Sequence, residues 1–82
     1  MITSSQIKAA RAMTGLTVRE MAKESGMAFT TLVRLESGKN EIPSGTIEKL
    51  KQLKLAFEVM GIEFIGTPEE GAGVRWKKGF PK

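Results

Sequence analysis

The sequence contains no cysteine and no histidine, and these absences exclude several kinds of functional site. Disulfides and thiolate metal sites are impossible, and both the usual general base and the commonest zinc ligand are missing. No apolar run approaches the ~20 residues of a membrane span, and no signal-peptide pattern opens the chain. We therefore expect a soluble, cytoplasmic protein that is not an enzyme and binds neither a metal nor another cofactor.

The length and the charge of the chain limit the number of domains and the kinds of partner, but they do not identify the function. The 82 residues suffice for one domain with a thin core, so oligomerisation is a reasonable expectation. Thirteen Lys and Arg residues against nine Asp and Glu residues give a net charge of +4. This mild basic excess is compatible with a polyanionic partner, but it is equally compatible with an ordinary solvated surface.

The stretch from Leu16 to Lys39 contains two short helix patterns joined by a tight turn. The first pattern opens with a T-x-x-E capping box, in which the side chains of Thr17 and Glu20 each bond the backbone N–H of the other residue. Gly26 suits the left-handed position that closes a helix and turns the chain. The spacing therefore predicts two helices held at a sharp angle.

The second helix pattern has one apolar face and one mixed face. Leu32 and Leu35 share the apolar side, whereas the other side combines apolar, hydroxyl and cationic groups. A short helix with such an outward face, held at a fixed angle by a preceding helix, is typical of a helix-turn-helix. The outward residues are Phe29, Thr30, Val33 and Arg34.

This stretch resembles the helix-turn-helix family of phage repressors and Cro proteins, often called the Xre or Cro/CI-type family. The resemblance runs from about Ile7 to about Met60. It implies a mainly α fold, a four-helix lambda-repressor-like domain, that binds double-stranded DNA. The matching residues are Leu16, Thr17, Glu20, Met21, Ala22, Gly26, Met27, Thr31, Leu32 and the run from Arg34 to Lys39.

The resemblance implies that the third helix reads bases in the major groove, which admits an α-helix. Carried over position by position, the base contacts are Ala28, Phe29, Thr30, Val33 and Arg34. The Arg34 guanidinium can bond guanine O6 and N7 together, although a phosphate contact is an equally good alternative. For Phe29 the alternative is a side chain that folds back into the core.

The resemblance also implies phosphate contacts, which position the helix without reading sequence. They are Thr17, Arg19, Thr31, Ser37, Lys39 and Asn40. Val18 stands where many relatives have a glutamine that helps to hold DNA and the recognition helix together, so this chain departs from the family there. Arg11 and Glu36 match a structural pair in relatives, and we expect a partly buried ion pair between the first and third helices.

Three helices are predicted in the first half of the chain. The first follows a T-x-x-Q capping box at Thr3 and ends at about Thr14. The second covers about Thr17–Ser25, and the third covers about Ala28–Ser37. Ala28 stands where the family mostly has serine or threonine, which forfeits about 1 kcal/mol of capping.

A longer fourth helix is predicted from the N-cap Ser44 to Met60, after a loop over residues 39–43. No glycine or proline interrupts it, and its apolar residues recur every three or four positions as a single stripe. The stripe comprises Ile47, Leu50, Leu53, Phe57 and Met60.

After Gly61 the pattern changes to a period of two, which predicts a β-hairpin over residues 62–77. Residues 1–61 would then form the helix-turn-helix domain and residues 78–82 a disordered tail. A hairpin is marginal alone and must pack against something. In one reading it covers the fourth helix of its own chain, and dimerisation uses that helix or occurs only on DNA. We expect instead that it dimerises the protein through Ile62, Phe64, Val74 and Trp76.

Two functions from different classes remain open at this point. The first is a sequence-specific DNA-binding transcriptional regulator, a repressor, that acts as a homodimer on a palindromic operator without a small-molecule effector. The second is an antitoxin or co-regulator subunit that acts mainly through protein–protein contacts. Affinity for a DNA duplex that falls steeply with salt would distinguish the first function from the second.

Overall fold

The computed structural model describes residues 2–38 and 47–79. Within these residues, four helices are followed by an antiparallel two-stranded sheet, which confirms the predicted fold class. No helix within these residues has the length and apolarity to cross a membrane. The elements are α1 (Ser4–Thr14), α2 (Val18–Ser25), α3 (Phe29–Glu36), α4 (Ile47–Val59), β1 (Ile62–Ile65) and β2 (Gly73–Trp76).

Both predicted capping boxes are present. The Thr3 hydroxyl accepts from the Gln6 N–H at 3.1 Å, and the Gln6 side chain accepts from the Thr3 N–H at 2.8 Å. Thr17 and Glu20 repeat the same two bonds, at 3.1 and 2.8 Å, at the start of α2. Ala28 precedes α3 and has no side-chain acceptor to offer. These local bonds set where the first two helices begin.

One apolar cluster holds the helices together. Helix α1 packs on α3, and α2 packs on both α3 and α4. The buried apolar residues are Ile2, Ile7, Ala10, Met21, Ala22, Met27, Leu32, Leu35, Leu50, Leu53, Phe57 and Ile62. The core therefore draws side chains from every helix and from the first strand.

The predicted apolar stripe of α4 is correct except at its first member. Leu50, Leu53 and Phe57 are buried and Met60 packs against the core, but Ile47 is 68% exposed. At 100° per residue, Ile47 lies about 90° from the middle of the stripe, so the first turn of α4 points it away from the core. The predicted N-cap Ser44 and the predicted loop 39–43 lie outside the described residues.

The hairpin folds onto the same core. Ile62 pairs with Trp76 and Phe64 with Val74, so these four side chains share one face, as predicted. Ile62 is fully buried, and the other three pack against the apolar cluster. The Phe64 ring lies edge-on to the ring of Phe57, with centroids 5.9 Å apart.

The apolar face of the hairpin is the surface that we expect from the sequence to form the dimer contact. Strand β1 packs on α4 and β2 packs on α1 of the same chain, so the apolar face of the hairpin already has a cover. Its role in dimerisation stays a prediction, but a fully buried Ile62 has no surface to offer a second copy. The arrangement favours the alternative in which the hairpin covers its own chain.

Polar contacts attach the hairpin at the end next to its loop. The Gln6 amide donates to the carbonyl oxygens of Gly73 and Ile65, at 2.9 and 3.3 Å. On the outer face, Arg75 donates to Glu63 at 2.8 Å. Residues 78–79 form a turn and residues 80–82 lie outside the described residues, so the disordered tail over 78–82 stays a prediction.

Candidate nucleic-acid interface

A three-residue turn sets the angle between α2 and α3. Gly26 takes the left-handed conformation, with φ at 70°, and the Met27 N–H donates back to the Ala22 carbonyl at 3.0 Å. From α4, the Gln52 amide donates to the carbonyls of Ser25 at 2.6 Å and Gly26 at 3.2 Å. These bonds satisfy carbonyls that the end of α2 leaves unpaired. The turn is therefore held by a bond to α2 and by two bonds from α4.

Helix α3 is buried on one side and exposed on the other. Leu32 and Leu35 are fully buried in the core, which fixes the rotation of the helix about its axis. All five predicted base-contacting residues are exposed: Ala28, Phe29, Thr30, Val33 and Arg34. Their exposure is what a groove-reading surface requires, but their contact with bases stays a prediction.

Phe29 does not fold back into the core. Its side chain is 38% exposed, and the guanidinium carbon of Arg19 lies 4.4 Å from the centre of its ring. This distance is within the range of a cation–π contact. The contact joins the first turn of α2 to the first turn of α3, and it brings a predicted phosphate contact and a predicted base contact together.

The start of α2 is exposed around the predicted phosphate contacts Thr17 and Arg19. The Thr17 oxygen accepts from the Glu20 N–H, which leaves its own O–H able to donate to a phosphate. Val18 packs against the core, so no polar group from that position faces DNA. The cationic group next to it is Arg19, which is stacked on Phe29.

The other residues predicted to contact phosphates, in α3 and after it, are less available for such contacts or lie outside the described residues. Thr31 is half-buried, and the Ser37 hydroxyl donates to the Val33 carbonyl at 2.8 Å. Ser37 can therefore donate to a phosphate only if it gives up this bond. Lys39 and Asn40 lie outside the described residues.

The predicted ion pair between α1 and α3 is present. Arg11 donates to both carboxylate oxygens of Glu36, at 2.6 and 3.1 Å, and also to the Leu16 carbonyl at 3.1 Å. The hydrogen bond to Glu36 raises the pKa of Arg11 above its ordinary value. Ser4 adds a bond from α1 to the Leu35 carbonyl at 3.1 Å. Arg11 and Glu36 thus hold the end of α3 in place.

The sequence comparison agrees with this geometry. A family profile described as helix-turn-helix matches residues 7–53, more than half of the chain. The chain belongs to the Xre/Cro-CI-type helix-turn-helix family. No curated protein matches the chain at a significant level. This helix-turn-helix family consists of DNA-binding transcriptional regulators rather than enzymes, and its profile ends within α4, before the hairpin begins.

Two contacts of this helix-turn-helix unit were not predicted from the sequence. The family resemblance implies separate DNA contacts for Arg19 and Phe29, and nothing in their spacing indicates that they touch each other. No sequence pattern indicates a role for Gln52, although it bonds the turn itself. A polar residue beside the apolar stripe of α4 is a weak signal, because its partner lies 26 to 27 residues earlier in the chain.

Proposed function

We propose that the protein is a sequence-specific transcriptional repressor that reads the major groove with α3 as a homodimer on a palindromic operator. The observation that carries the proposal is the outward face of α3. Phe29 and Val33 are 38% and 39% exposed beside Arg34, although α3 buries two leucines on its other side. A purely solvated face needs no exposed aromatic ring, whereas base edges present both polar groups and thymine methyls.

Each side chain on this face has a chemically distinct role in the proposed contact. The Arg34 guanidinium is exposed and bonds the O6 and N7 acceptors of a guanine. Ala28, Phe29 and Val33 contact thymine methyls, and the Thr30 hydroxyl contacts either a base or the backbone. The combination reads a mixed sequence rather than a run of one base pair.

Phosphate contacts on both sides of α3 position it in the groove. We assign them to Thr17, Arg19, Thr31, Ser37, Lys39 and Asn40. The N–H groups in the first turn of α2 point in the direction that favours an anion, and Arg19 adds a full positive charge there. Two copies on a palindrome place their α3 helices about one turn of DNA apart, ~34 Å. Occupancy of such a site blocks its use by other proteins, which is repression.

Selection of bound sequences from a random duplex pool, followed by titrations at several salt concentrations, tests the proposal. We expect a palindromic consensus and an affinity that falls steeply with salt, because phosphate contacts release counterions. Arg34→Ala should weaken binding to the consensus by about 1–3 kcal/mol and relax the preference at one base pair of each half-site.

Arg75→Ala is the matched control, because it removes the same charged group from the hairpin, where Arg75 pairs with Glu63. We expect it to leave the sequence preference unchanged. Equal losses of DNA affinity in both variants would mean that Arg34 contributes only its positive charge and does not read a base. If the parent protein enriches no duplex even at low salt, the repressor proposal is wrong and the antitoxin or co-regulator function gains support.

A further inference from the structure

Exposed large apolar side chains form two groups within residues 2–38 and 47–79. Phe29 and Val33 belong to the proposed DNA-reading face of α3. The other group lies on α4, where Ile47, Leu55 and Val59 are 68%, 63% and 77% exposed. These three are more exposed than the pair on α3, and the proposed contact with DNA does not use them.

The exposed apolar residues of α4 lie on one line along the helix. At 100° per residue, Leu55 lies about 170° from the middle of the buried stripe of Leu50, Leu53 and Phe57, so it faces directly outward. Ile47, Lys51, Leu55 and Val59 are spaced four residues apart, and we call them the outward ridge. Ridges of this spacing are the ones that interdigitate when two helices pack.

We propose that Lys51, Leu55 and Val59 of the outward ridge pack against the same three residues of a second copy of this chain, antiparallel about a two-fold axis at Leu55. In such a contact residue i faces residue j while j faces i, so every pairing off the axis occurs twice. Leu55 then meets Leu55 of the second copy on the axis, and Lys51 lies opposite Val59. The apolar stem of Lys51 covers Val59 while its ammonium reaches the neighbouring Glu58.

The charges on α4 favour a second copy over an unrelated partner. Glu58 is part-exposed, and its bond to Lys54 within the helix is at the 4.0 Å limit of an ion pair, so its carboxylate is available to Lys51 of the second copy. The antiparallel arrangement brings Lys51 and Glu58 together at both ends of the contact. A ridge that matches itself in both apolar shape and charge is the property that a two-fold interface requires.

The rest of the structure leaves the ridge as the best surface for the homodimer. The apolar face of the hairpin packs on its own chain and its Ile62 is fully buried, so this face offers a second copy less exposed apolar surface than the ridge does. Beside Ile47, the ridge borders a groove of about 310 Å³ whose wall includes Ile2 and Leu50. The contact of one helix pair buries less surface than the roughly 1,200 Å² at the low end of stable protein–protein interfaces. The dimer is therefore weak in the absence of DNA, and binding to two half-sites stabilises it.

Sedimentation of the full chain at rising concentration tests this inference. The inference rests on the proposed function in one respect only, namely that the protein forms a homodimer. We expect self-association in the parent and a loss of roughly 30-fold or more in Leu55→Glu, since a carboxylate would be buried against its own copy on the axis. Val33→Glu is the control: it should abolish DNA binding and leave self-association unchanged. A Leu55→Glu variant that associates like the parent overturns the inference.

Exchanging the charges at Lys51 and Glu58 tests the proposed dimer contact even if Leu55→Glu does not fold. Lys51→Glu alone and Glu58→Lys alone each place like charges opposite each other and should weaken self-association. When the two variants are mixed, both carboxylates of the first variant face ammonium groups of the second across the contact, so a mixed dimer should form. If the mixture stays as weak as each variant alone, a second copy does not occupy the ridge.

DNA titrations separate this inference from the proposed function. On a duplex with one half-site, Leu55→Glu should bind as tightly as the parent, whereas on the palindrome it should lose cooperativity. A parent that is monomeric at high micromolar concentration and also fills two half-sites independently overturns the dimer inference while leaving the DNA-reading role intact. If the parent protein self-associates but binds no duplex, the result supports the outward ridge as the dimer contact and contradicts the repressor proposal.

Discussion

The contact between Arg19 and Phe29 is the residue-scale feature that most affects the proposed site. It places a guanidinium on an aromatic ring at the point where α2 and α3 approach each other. A stacked guanidinium loses less freedom when it binds a phosphate, because its position is already restricted. In the proposed complex Phe29 therefore has two roles, one through its own surface and one through Arg19.

A double-mutant cycle measures this coupling. We expect Phe29→Leu to weaken DNA binding, and Arg19→Ala to cost less in the Phe29→Leu background than in the parent. The difference should be about 0.5–1 kcal/mol, the size of an exposed cation–π contact. Phe29→Tyr, which keeps the ring, is the control and should retain the coupling. Additive losses in titrations with the selected operator would show that the two residues act independently.

Arg11 and Glu36 form the residue-scale contact that most affects stability. The Glu36 side chain is only 9% exposed, so removing Arg11 leaves a nearly buried carboxylate without its partner. We expect Arg11→Met to lower the free energy of unfolding by roughly 2–4 kcal/mol in urea titrations followed by circular dichroism. Arg75→Ala breaks an exposed pair and should cost about 0–1 kcal/mol. Equal costs would mean that burial does not matter here.

The raised pKa of Arg11 also sets the sign of its pH dependence. A base whose pKa is higher in the folded state contributes stability that is fully present below its unfolded pKa and is lost above its folded pKa. For an arginine that range lies above the pH of ordinary experiments. The stabilisation that Arg11 provides should therefore stay constant at neutral and mildly alkaline pH, below the unfolded pKa of arginine, and its variant should show the same deficit throughout that range.

At the scale of elements, the loop of the hairpin depends on two glycines that can be compared directly. Gly66 and Gly71 both have positive φ, at 75° and 86°. A Cβ on Gly66 would lie 2.5 Å from the Gly71 carbonyl oxygen, whereas a Cβ on Gly71 would meet nothing within 4 Å. The two positions thus share the backbone strain and differ only in the clash.

Alanine substitutions separate these two effects. Gly71→Ala should cost about 1–2 kcal/mol from the left-handed conformation alone. Gly66→Ala should cost more, because a backbone oxygen cannot move aside without distorting the loop. Thermal unfolding followed by the fluorescence of Trp76, the only tryptophan, reports on both the hairpin and the core. A smaller loss for Gly66→Ala than for Gly71→Ala would contradict this account of the loop.

At the scale of the whole molecule, the hairpin and the helices share one core. The family profile ends at residue 53, yet Phe57 and Ile62 beyond it are fully buried together with residues of α1 and α3. Gln6 in the first helix bonds the far end of the hairpin. A boundary after residue 61, as drawn from the sequence, therefore divides a continuous set of contacts. Within residues 2–38 and 47–79, the exposed large apolar side chains lie on the outward face of α3 and on the outward ridge of α4.

Local chemistry explains why so much of the fold followed from the sequence. The caps at Thr3 and Thr17 join groups three residues apart, and the closing glycines act through their own φ angles. The buried positions of α3 follow from helical periodicity alone. Arg11 and Glu36 are 25 residues apart, and their contact was predicted only because the family motif supplied their positions.

The tertiary structure decided which surfaces remain exposed. Period-two patterning predicted a hairpin with one apolar face, but not whether that face covers its own chain or a second copy, because apolar burial is non-directional. Ile47 belongs to the stripe by spacing but is exposed, since it lies about 90° around α4 from the middle of the buried stripe. The stacking of Arg19 on Phe29 and the bonds of Gln52 to the turn likewise depend on how the helices pack, which residue order alone does not specify.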